Sequence, residues 1–177
     1  MSETEKFEKA VIEAGFEPFE TMSEHWGVYA LTDGSYIRMR MDVFKIGRQI
    51  DAAGNIGFGI NGNPSITIIS PKKLRGTPLL KLPTPQEIVA AVVEDDVEFS
   101  IVEEKWSTYK LKDSFVIGLK LIPIKVSKTS LHDNHGDPIY NINHQLLVKV
   151  NMPEELRKKG IKIQIPSPDR GNPSFIT

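Results

Sequence analysis

One stretch of the chain occurs twice, and this duplication limits the possible folds more than any other feature. The sequence EHWGVYALTDGSYIRMRMDVFKIGR, at 24–48, returns at 104–128 as EKWSTYKLKDSFVIGLKLIPIKVSK. Average composition would give only about one or two coincidences over such a length. The identical pairs, aligned without a gap, are Glu24/Glu104, Trp26/Trp106, Tyr29/Tyr109, Leu31/Leu111, Asp33/Asp113, Ile37/Ile117 and Lys45/Lys125.

The similarity continues beyond this stretch once two extra residues in the second copy are allowed for. Self-similarity on this scale is typical of a repeated structural unit. We therefore predict repeat A at 1–83, repeat B at 84–166, and an extended or disordered tail at 167–177. The further matching pairs are Asp51/Asp133, Gly54/Gly136, Ile60/Ile142, Asn61/Asn143, Pro71/Pro153, Leu74/Leu156 and Arg75/Arg157.

Each repeat is predicted to begin with a short helix and to continue as strands. Ser2 or Thr4 can cap the first helix, and Thr84 with Pro85 suits the start of the second. Apolar residues then alternate with polar ones, as they do in half-buried strands. The first two strands of each repeat are expected at 16–22 and 26–31, and at 97–102 and 106–111.

The third strand of each repeat is long, and its alternation changes phase. Ile37 and Met39 fall on one side, whereas Phe44 and Ile46 fall on the other. A change of this kind predicts a β-bulge or a sharp bend, which lets one strand serve two faces of a barrel. Pro123 occupies the corresponding point in repeat B.

The remaining elements follow from turn residues. Hairpin turns are predicted at 51–54 and 133–136, and a connection between two strands at 61–64, rather than an anion-binding loop. The Pro-x-x-Leu-Arg patterns at 71–75 and 153–157 predict single helical turns. A closing strand is expected at 77–82 and at 161–165.

The predicted fold class is α+β, mostly β, with two tandem repeats that each hold an N-terminal helix and a small bent barrel of five or six strands. This order of elements resembles Src-homology-3-like and Sm-like domains. The resemblance covers each repeat and implies a shape. The patterns Leu-x-Asp, Asp-x-x-Gly and Pro-x-x-Leu-Arg are also similar to those of small uncharacterised archaeal proteins, which carries the expectation of a prokaryotic source.

Composition narrows the class of protein. The formal net charge of the 177 residues is −1, so charge alone does not favour nucleic-acid binding. There is no cysteine, which excludes disulfides and thiolate chemistry and fits a reducing compartment. The amino end lacks the basic flank and apolar run of a signal peptide, and no stretch is apolar enough to span a bilayer. We expect a cytoplasmic protein with no membrane association.

Basic residues recur along the long strands beside an aromatic residue. Such a strand can bind single-stranded nucleic acid, although exposed basic residues also prevent unwanted strand pairing. The tryptophans themselves either pack beneath a helix or in the seam between the repeats, or lie exposed on a binding face. The candidate nucleic-acid site comprises Trp26, Arg38, Arg40, Lys45, Arg48, Trp106, Lys120, Lys125 and Lys128.

A second cluster lies at the hairpin of repeat B, where His132, Asp133, His135 and Asp137 could hold a divalent metal. Repeat A keeps only the aspartate and the glycine there, which are the residues that a turn requires, so a hairpin turn is the preferred interpretation. No serine, histidine and acid set occurs at equivalent places in both repeats. We therefore predict no catalytic residues and no cofactor.

These observations predict a non-enzymatic binding or assembly module whose partner is another protein or further copies of the same chain. The alternative is a single-stranded RNA- or DNA-binding protein that uses the basic strand and the tryptophans. A third possibility is metal binding at the repeat B hairpin.

Overall fold

The computed structural model describes residues 1–164, and over this range the chain is mostly β. The tail predicted at 167–177 lies outside the described residues. The helices are α1 (Glu3–Glu13), α2 (Pro85–Ala90) and α3 (Glu154–Lys158), and a 3-10 turn covers Lys72–Leu74. The strands are β1 (Phe19–Ser23), β2 (Gly27–Leu31), β3 (Tyr36–Ile50), β4 (Ile56–Ile69), β5 (Val92–Glu94), β6 (Phe99–Glu103), β7 (Ser107–Leu111), β8 (Val116–His132), β9 (Pro138–Asn151) and β10 (Ile163–Gln164).

The first two helices begin at residues that the sequence predicted as caps. Ser2 accepts a hydrogen bond from the backbone N–H of Glu5, and the Glu5 carboxylate accepts one from the backbone N–H of Ser2. Thr84 and Glu87 make the same reciprocal pair at α2. These bonds satisfy N–H groups that a helix start leaves free, so both helix starts are fixed locally.

The strands form two five-stranded sheets. In the first sheet the order is β10, β4, β3, β2, β6. In the second sheet β1, β7, β8 and β5 follow one another, and β9 also pairs with β8. The long antiparallel hairpins β3–β4 and β8–β9 form the main part of the two sheets.

Each sheet contains strands from both halves of the chain, the first half being residues 1–83 and the second half residues 84–164. Strand β1 pairs with β7 of the second half, with Glu20 opposite Lys110. Strand β6 pairs with β2 of the first half, with Ser100 opposite Ala30. Strand β10 runs parallel to the start of β4. The boundary predicted near residue 83 therefore separates two segments that contribute to both sheets.

Both long strands carry the bulge that the change of alternation predicted. The pairing of β3 with β4 shifts at Phe44, and the pairing of β8 with β9 shifts at Ile124. Phe44 is 57% exposed whereas Ile46 is fully buried. Of these two residues only Phe44, the extra residue of the bulge, points outward. The expectation that Phe44 and Ile46 share a side is therefore wrong.

The connection predicted at 61–64 is wrong as well, because these residues lie within the continuous strand β4. Gly62 stands opposite Val43, next to the bulge of β3. A Cβ atom added to Gly62 would come within 2.1 Å of the carbonyl oxygen of Asp42. The glycine therefore permits two backbones to approach closely at a bulge, and it does not break the strand.

The closing strand predicted at 77–82 is also absent, although the segment lies beside the second half. The N–H of Gly76 donates to the carbonyl of Gly136, and the N–H of Leu79 donates to the carbonyl of Asp133. Two such bonds do not make a ladder. The counterpart predicted at 161–165 is a strand over Ile163–Gln164, and residue 165 lies outside the described range.

The hydrophobic core forms two clusters, and each draws on both halves of the chain. Neither half therefore buries its apolar residues without the other, and the main stabilising contribution to folding is shared between the halves. One cluster contains Tyr29, Leu31, Ile37 and Met39 with Val97, Leu121, Val126, Tyr140 and Ile142. The other contains Ile46, Ile56 and Phe58 with Tyr109, Leu111, Phe115, Ile117 and Leu119.

The exchange of strands is testable by crosslinking, since the natural chain has no cysteine. We expect the variant Glu20→Cys/Lys110→Cys to form a disulfide within one chain under mild oxidation, because directly opposed residues meet the distance requirement. Peptide mapping of the oxidised monomer identifies the linkage. The matched control is Glu20→Cys/Ala30→Cys, which tests pairing within the first half. A disulfide in that control, and none in the first variant, would contradict the exchange.

Candidate functional site

Two reciprocal ion pairs join the halves, and both use residues that recur in the duplicated sequence. Lys128 Nζ lies 3.2 Å from Asp33 Oδ2. Arg48 binds Asp113 with two bonds, of 2.6 Å from Nη1 to Oδ2 and 2.9 Å from Nη2 to Oδ1. Asp33 and Asp113 occupy equivalent positions, as do Arg48 and Lys128. The same contact is therefore made twice, once in each direction across the seam.

The electrostatics of these pairs favour the charged forms. The hydrogen bonds from Arg48 hold the pKa of Asp113 below its ordinary value, against the effect of partial burial. Arg48 also lies 3.0 Å from the Glu17 carboxylate, between Nε and Oε1. The two hydrogen bonds to Asp113 fix the guanidinium geometry, whereas the contact with Glu17 is an ion pair outside hydrogen-bond geometry.

Asp33 lies at the centre of a second polar group across the seam. Burial opposes its ionisation, but hydrogen bonds from Tyr140, from Ser35 and from Lys128 outweigh burial and lower the pKa of Asp33. The Tyr140 hydroxyl donates to Asp33 and also contacts Ser35 Oγ at 3.1 Å. Burial and the neighbouring carboxylate raise the pKa of Tyr140 in turn.

A third recurring pair is asymmetric. The Tyr109 hydroxyl donates to Glu24 Oε1 at 3.1 Å across the seam. At the equivalent place Glu104 lies 3.3 Å from Lys120 Nζ, between Oε1 and the ammonium group. The Tyr29 hydroxyl is buried and has no hydrogen-bond partner among residues 1–164. The two halves are therefore related by position but no longer identical in their bonding.

The metal candidates at the β8–β9 hairpin form a turn. Asp133 Oδ1 accepts hydrogen bonds from the backbone N–H groups of His135, at 2.8 Å, and Asp137, at 2.9 Å. Asp137 Oδ1 also lies 3.5 Å from Arg75 Nε. Within the described residues no three His, Cys, Asp or Glu side chains, His132 included, converge as ligands would. The arrangement of Asp133 is that of an aspartate that stabilises a turn.

The tryptophans lie on the outer sides of the sheets, half-buried, and each is covered by two cations of its own half. In the first tryptophan cluster the guanidinium carbons of Arg38 and Arg40 lie 4.2 Å and 4.4 Å from the Trp26 ring centre. In the second tryptophan cluster, Trp106 has Lys120 Nζ at 4.7 Å and Lys149 Nζ at 4.4 Å. Neither tryptophan belongs to a core cluster. The seam between the halves, where the tryptophans were expected as one alternative, is formed instead by the polar contacts described above.

In each cluster one cation has no carboxylate within salt-bridge distance among residues 1–164, and this cation comes from a different strand in the two halves. Arg38 lies on β3 opposite Thr67, whereas Lys149 lies on β9 opposite Gly118. A Cβ atom on Gly118 would come within 3.3 Å of the Trp106 ring and 2.9 Å of Lys149. The sequence did not indicate Lys149 because the equivalent position in the first half carries a threonine. Only the strand register shows that Lys149 covers Trp106 as Arg38 covers Trp26.

The basic residues predicted to contact nucleic acid are mostly occupied within the chain. Arg38 and Lys45 alone have no carboxylate within salt-bridge distance among residues 1–164, and each lies over an aromatic ring, Lys45 over Phe16 at 4.7 Å. The long strands therefore present no continuous row of free cations. The occupied residues are Arg40 with Asp42 and Glu24, Arg48 with Asp113 and Glu17, Lys120 with Glu104, Lys125 with Asp95, and Lys128 with Asp33.

A shallow depression lies where the halves meet, between the two tryptophan clusters. Ser107 Oγ at its wall accepts a hydrogen bond from the backbone N–H of His25 at 2.9 Å, so the contact between these two residues is made by the main chain of His25. The lining consists of equivalent pairs from the two copies: His25/Lys105, Gly27/Ser107, Met39/Leu119, Arg40/Lys120 and Met41/Leu121.

Comparison with known protein families, curated proteins and solved structures finds no match to this chain. No helix within residues 1–164 has the length and apolar character needed to cross a bilayer. The candidate functional site is therefore described from the geometry of its own residues.

The seam predicts an unequal effect of removing two basic side chains. We expect Arg48→Met to lower the free energy of unfolding by about 1 kcal/mol, because it leaves the Asp113 and Glu17 carboxylates, which are 46% and 31% exposed, without their partner. We expect Lys6→Ala, which removes an exposed pair with Glu3 in α1, to cost under about 0.5 kcal/mol. Denaturant unfolding measures both values. Equal costs would show that the Arg48 contacts do not hold the halves together.

Stability is expected to depend on His144 in mild acid. Burial lowers the pKa of His144, and its Nε2 has no hydrogen-bond partner among the described residues. The unfolded chain takes up a proton near pH 6.5, at about the ordinary histidine pKa, and the folded chain only at lower pH. The free energy of unfolding therefore falls as the pH is lowered through this window.

Unfolding curves over this pH range test the assignment. The variant His144→Gln should show a smaller loss of stability than the natural chain, whereas His135→Gln, at the exposed hairpin tip, should follow the natural chain. If the slopes for His144→Gln and the natural chain are the same, another group is responsible.

Proposed function

We propose that the protein is a non-enzymatic binding module for a protein partner, built from two small bent barrels of the Src-homology-3-like or Sm-like kind that exchange strands. The observation that carries the proposal is the use of the recurring polar residues. Asp33, Arg48, Asp113 and Lys128 bond with one another across the seam. Assembly of the two halves therefore explains why these residues recur in the sequence.

The bonds that the recurring acids make support a non-enzymatic role. Paired carboxylates for acid and base chemistry must face a cleft in which a substrate can lie. Here Glu24 and Asp33 accept hydrogen bonds from tyrosines, and Asp51 and Asp133 bond the backbone of their own turns. A binding role is consistent with such a rigid arrangement.

The two halves behave as a dimer within one chain. Exchanged strands, shared core clusters and reciprocal ion pairs are features of an intertwined homodimer. Once two copies are joined covalently, their surfaces are free to diverge while the seam is retained. One half can then carry a binding surface that the other half lacks.

Single-stranded nucleic acid is a second candidate ligand, and the first tryptophan cluster favours it. Trp26 is half-exposed beside Arg38, which has no carboxylate partner within residues 1–164, and aromatic rings next to arginines stack on bases. Two observations favour a protein partner instead. Most basic residues of the long strands are neutralised by carboxylates, and the net charge is −1.

The two tryptophans of the chain, one in each cluster, make a direct test possible. Titration with single-stranded RNA and DNA is followed by anisotropy of the labelled oligonucleotide and by tryptophan fluorescence, at low and near-physiological salt. The variants Trp106→Phe and Trp26→Phe report on the first and second cluster separately. We expect weak binding at low salt, no binding at near-physiological salt and no change in either tryptophan.

Micromolar binding that weakens steeply with salt and quenches Trp26 would overturn the protein-partner proposal in favour of nucleic acid. Sedimentation of the natural chain over a range of concentrations, in the same buffers, measures whether the partner is a second copy.

A further inference from the structure

We infer that the outer side of the first sheet is the surface that binds the partner, and that it takes a protein segment with apolar side chains next to a carboxylate. This inference rests on the proposed function and names the surface and the chemistry of the partner. The surface, called the aromatic face below, consists of Trp26, Val28, Ala30, Tyr36, Arg38 and Ile69.

Strand register places these residues together. Tyr36 pairs with Ala30 on β2 and with Ile69 on β4. Arg38 pairs with Val28 in the next row. Directly opposed residues point to the same side of a sheet. Ile37 and Met39 alternate with them and are fully buried, so Tyr36 and Arg38 face outward.

The second sheet provides an internal comparison, since the same positions exist there with different residues. The core positions stay apolar in both halves, as at Ile37/Ile117 and Met39/Leu119. At the outer positions aliphatic residues and the arginine are replaced by lysine, glycine and polar residues, Tyr36 by the smaller Val116, and Thr67, itself polar, by Lys149. The pairs are Val28/Thr108, Ala30/Lys110, Tyr36/Val116, Arg38/Gly118, Thr67/Lys149 and Ile69/Asn151.

This difference between the two faces has a physical explanation. A sheet face in contact with water carries polar residues such as Lys110, Lys149 and Asn151. The aromatic face instead leaves Tyr36 44% and Ile69 55% exposed, beside a tryptophan and an arginine. Tryptophan, tyrosine and arginine are the residues that contribute most at protein interfaces. Of the two corresponding faces within residues 1–164, only the aromatic face carries an exposed apolar group of this composition, and this marks it as the interface.

The positive charge of the aromatic face determines which charge the partner segment carries. No carboxylate within residues 1–164 lies within salt-bridge distance of Arg38, whereas Arg40 lies 2.8 Å from Asp42. Glu103, which stands in the same row as Arg38 across Val28, lies 3.4 Å from Lys105. One unsatisfied guanidinium suits one carboxylate, which it can bind with two bonds. A nucleic-acid backbone would require several such cations.

Selection from a library of random peptides displayed on phage tests the inference with the full chain as bait. A parallel selection uses Tyr36→Val/Ile69→Asn, which places the residues of the second sheet on the aromatic face. The control is Lys110→Ala/Lys149→Thr, which places residues of the first sheet at two other outer positions of the second sheet. Thermal unfolding establishes that each variant is folded.

We expect the natural chain and the control variant to enrich the same peptides, with apolar residues next to aspartate or glutamate, and the aromatic-face variant to enrich none of them. The affinity of a selected peptide should fall roughly tenfold in Arg38→Gln, since a hydrogen bond to a charged group is lost. Replacing the peptide's acidic residue by its amide should cost the same in the natural chain and nothing in Arg38→Gln.

Two results would overturn the inference in different ways. If peptides are enriched equally by the natural chain and the aromatic-face variant, the protein binds peptides by another surface, and the proposed function survives without this face. If no peptide is enriched and single-stranded oligonucleotides bind through Trp26, the proposed function fails together with the inference.

Discussion

The pairing of Arg48 with Asp113 and of Lys128 with Asp33 is the interaction on which the rest of the structure depends. Both contacts cross from one half of the chain to the other, and each lies at the end of a long strand or at a turn next to one. They join the hairpin β3–β4 to the hairpin β8–β9, beside the two core clusters that the halves share.

The tryptophan clusters show the same physical requirement met in two ways. A half-exposed indole ring gains from a cation over its face. Arg40 and Lys120 cover the two rings from equivalent positions, whereas the second cation is Arg38 of β3 in the first half and Lys149 of β9 in the second. At the place of Arg38, strand β8 carries Gly118, where a larger residue would meet the ring. The position of this cation in the sequence differs between the halves, but its position over the tryptophan ring is kept.

Local features of the fold were predictable because their causes are local. The caps at Ser2 and Thr84 depend on a residue three places away, and the bulges at Phe44 and Ile124 show as a change of alternation. Strand exchange was not predictable, since β2 and β7 carry the same pattern and β1 could pair with either. Duplication itself removes the information that would distinguish the two partners. The ion pairs across the seam depend on that choice, so they could not be predicted either.

The exchange of strands also sets the order in which the protein can fold. Strand β1 ends at Ser23, yet its partner β7 begins at Ser107. On the ribosome, the first half must wait with an unpaired strand and an incomplete core until most of the second half has been made. Contacts between residues so distant in sequence favour slow folding. During synthesis the amino-terminal half is thus a segment that needs protection from aggregation, although in the finished molecule each of its strands is paired within a sheet.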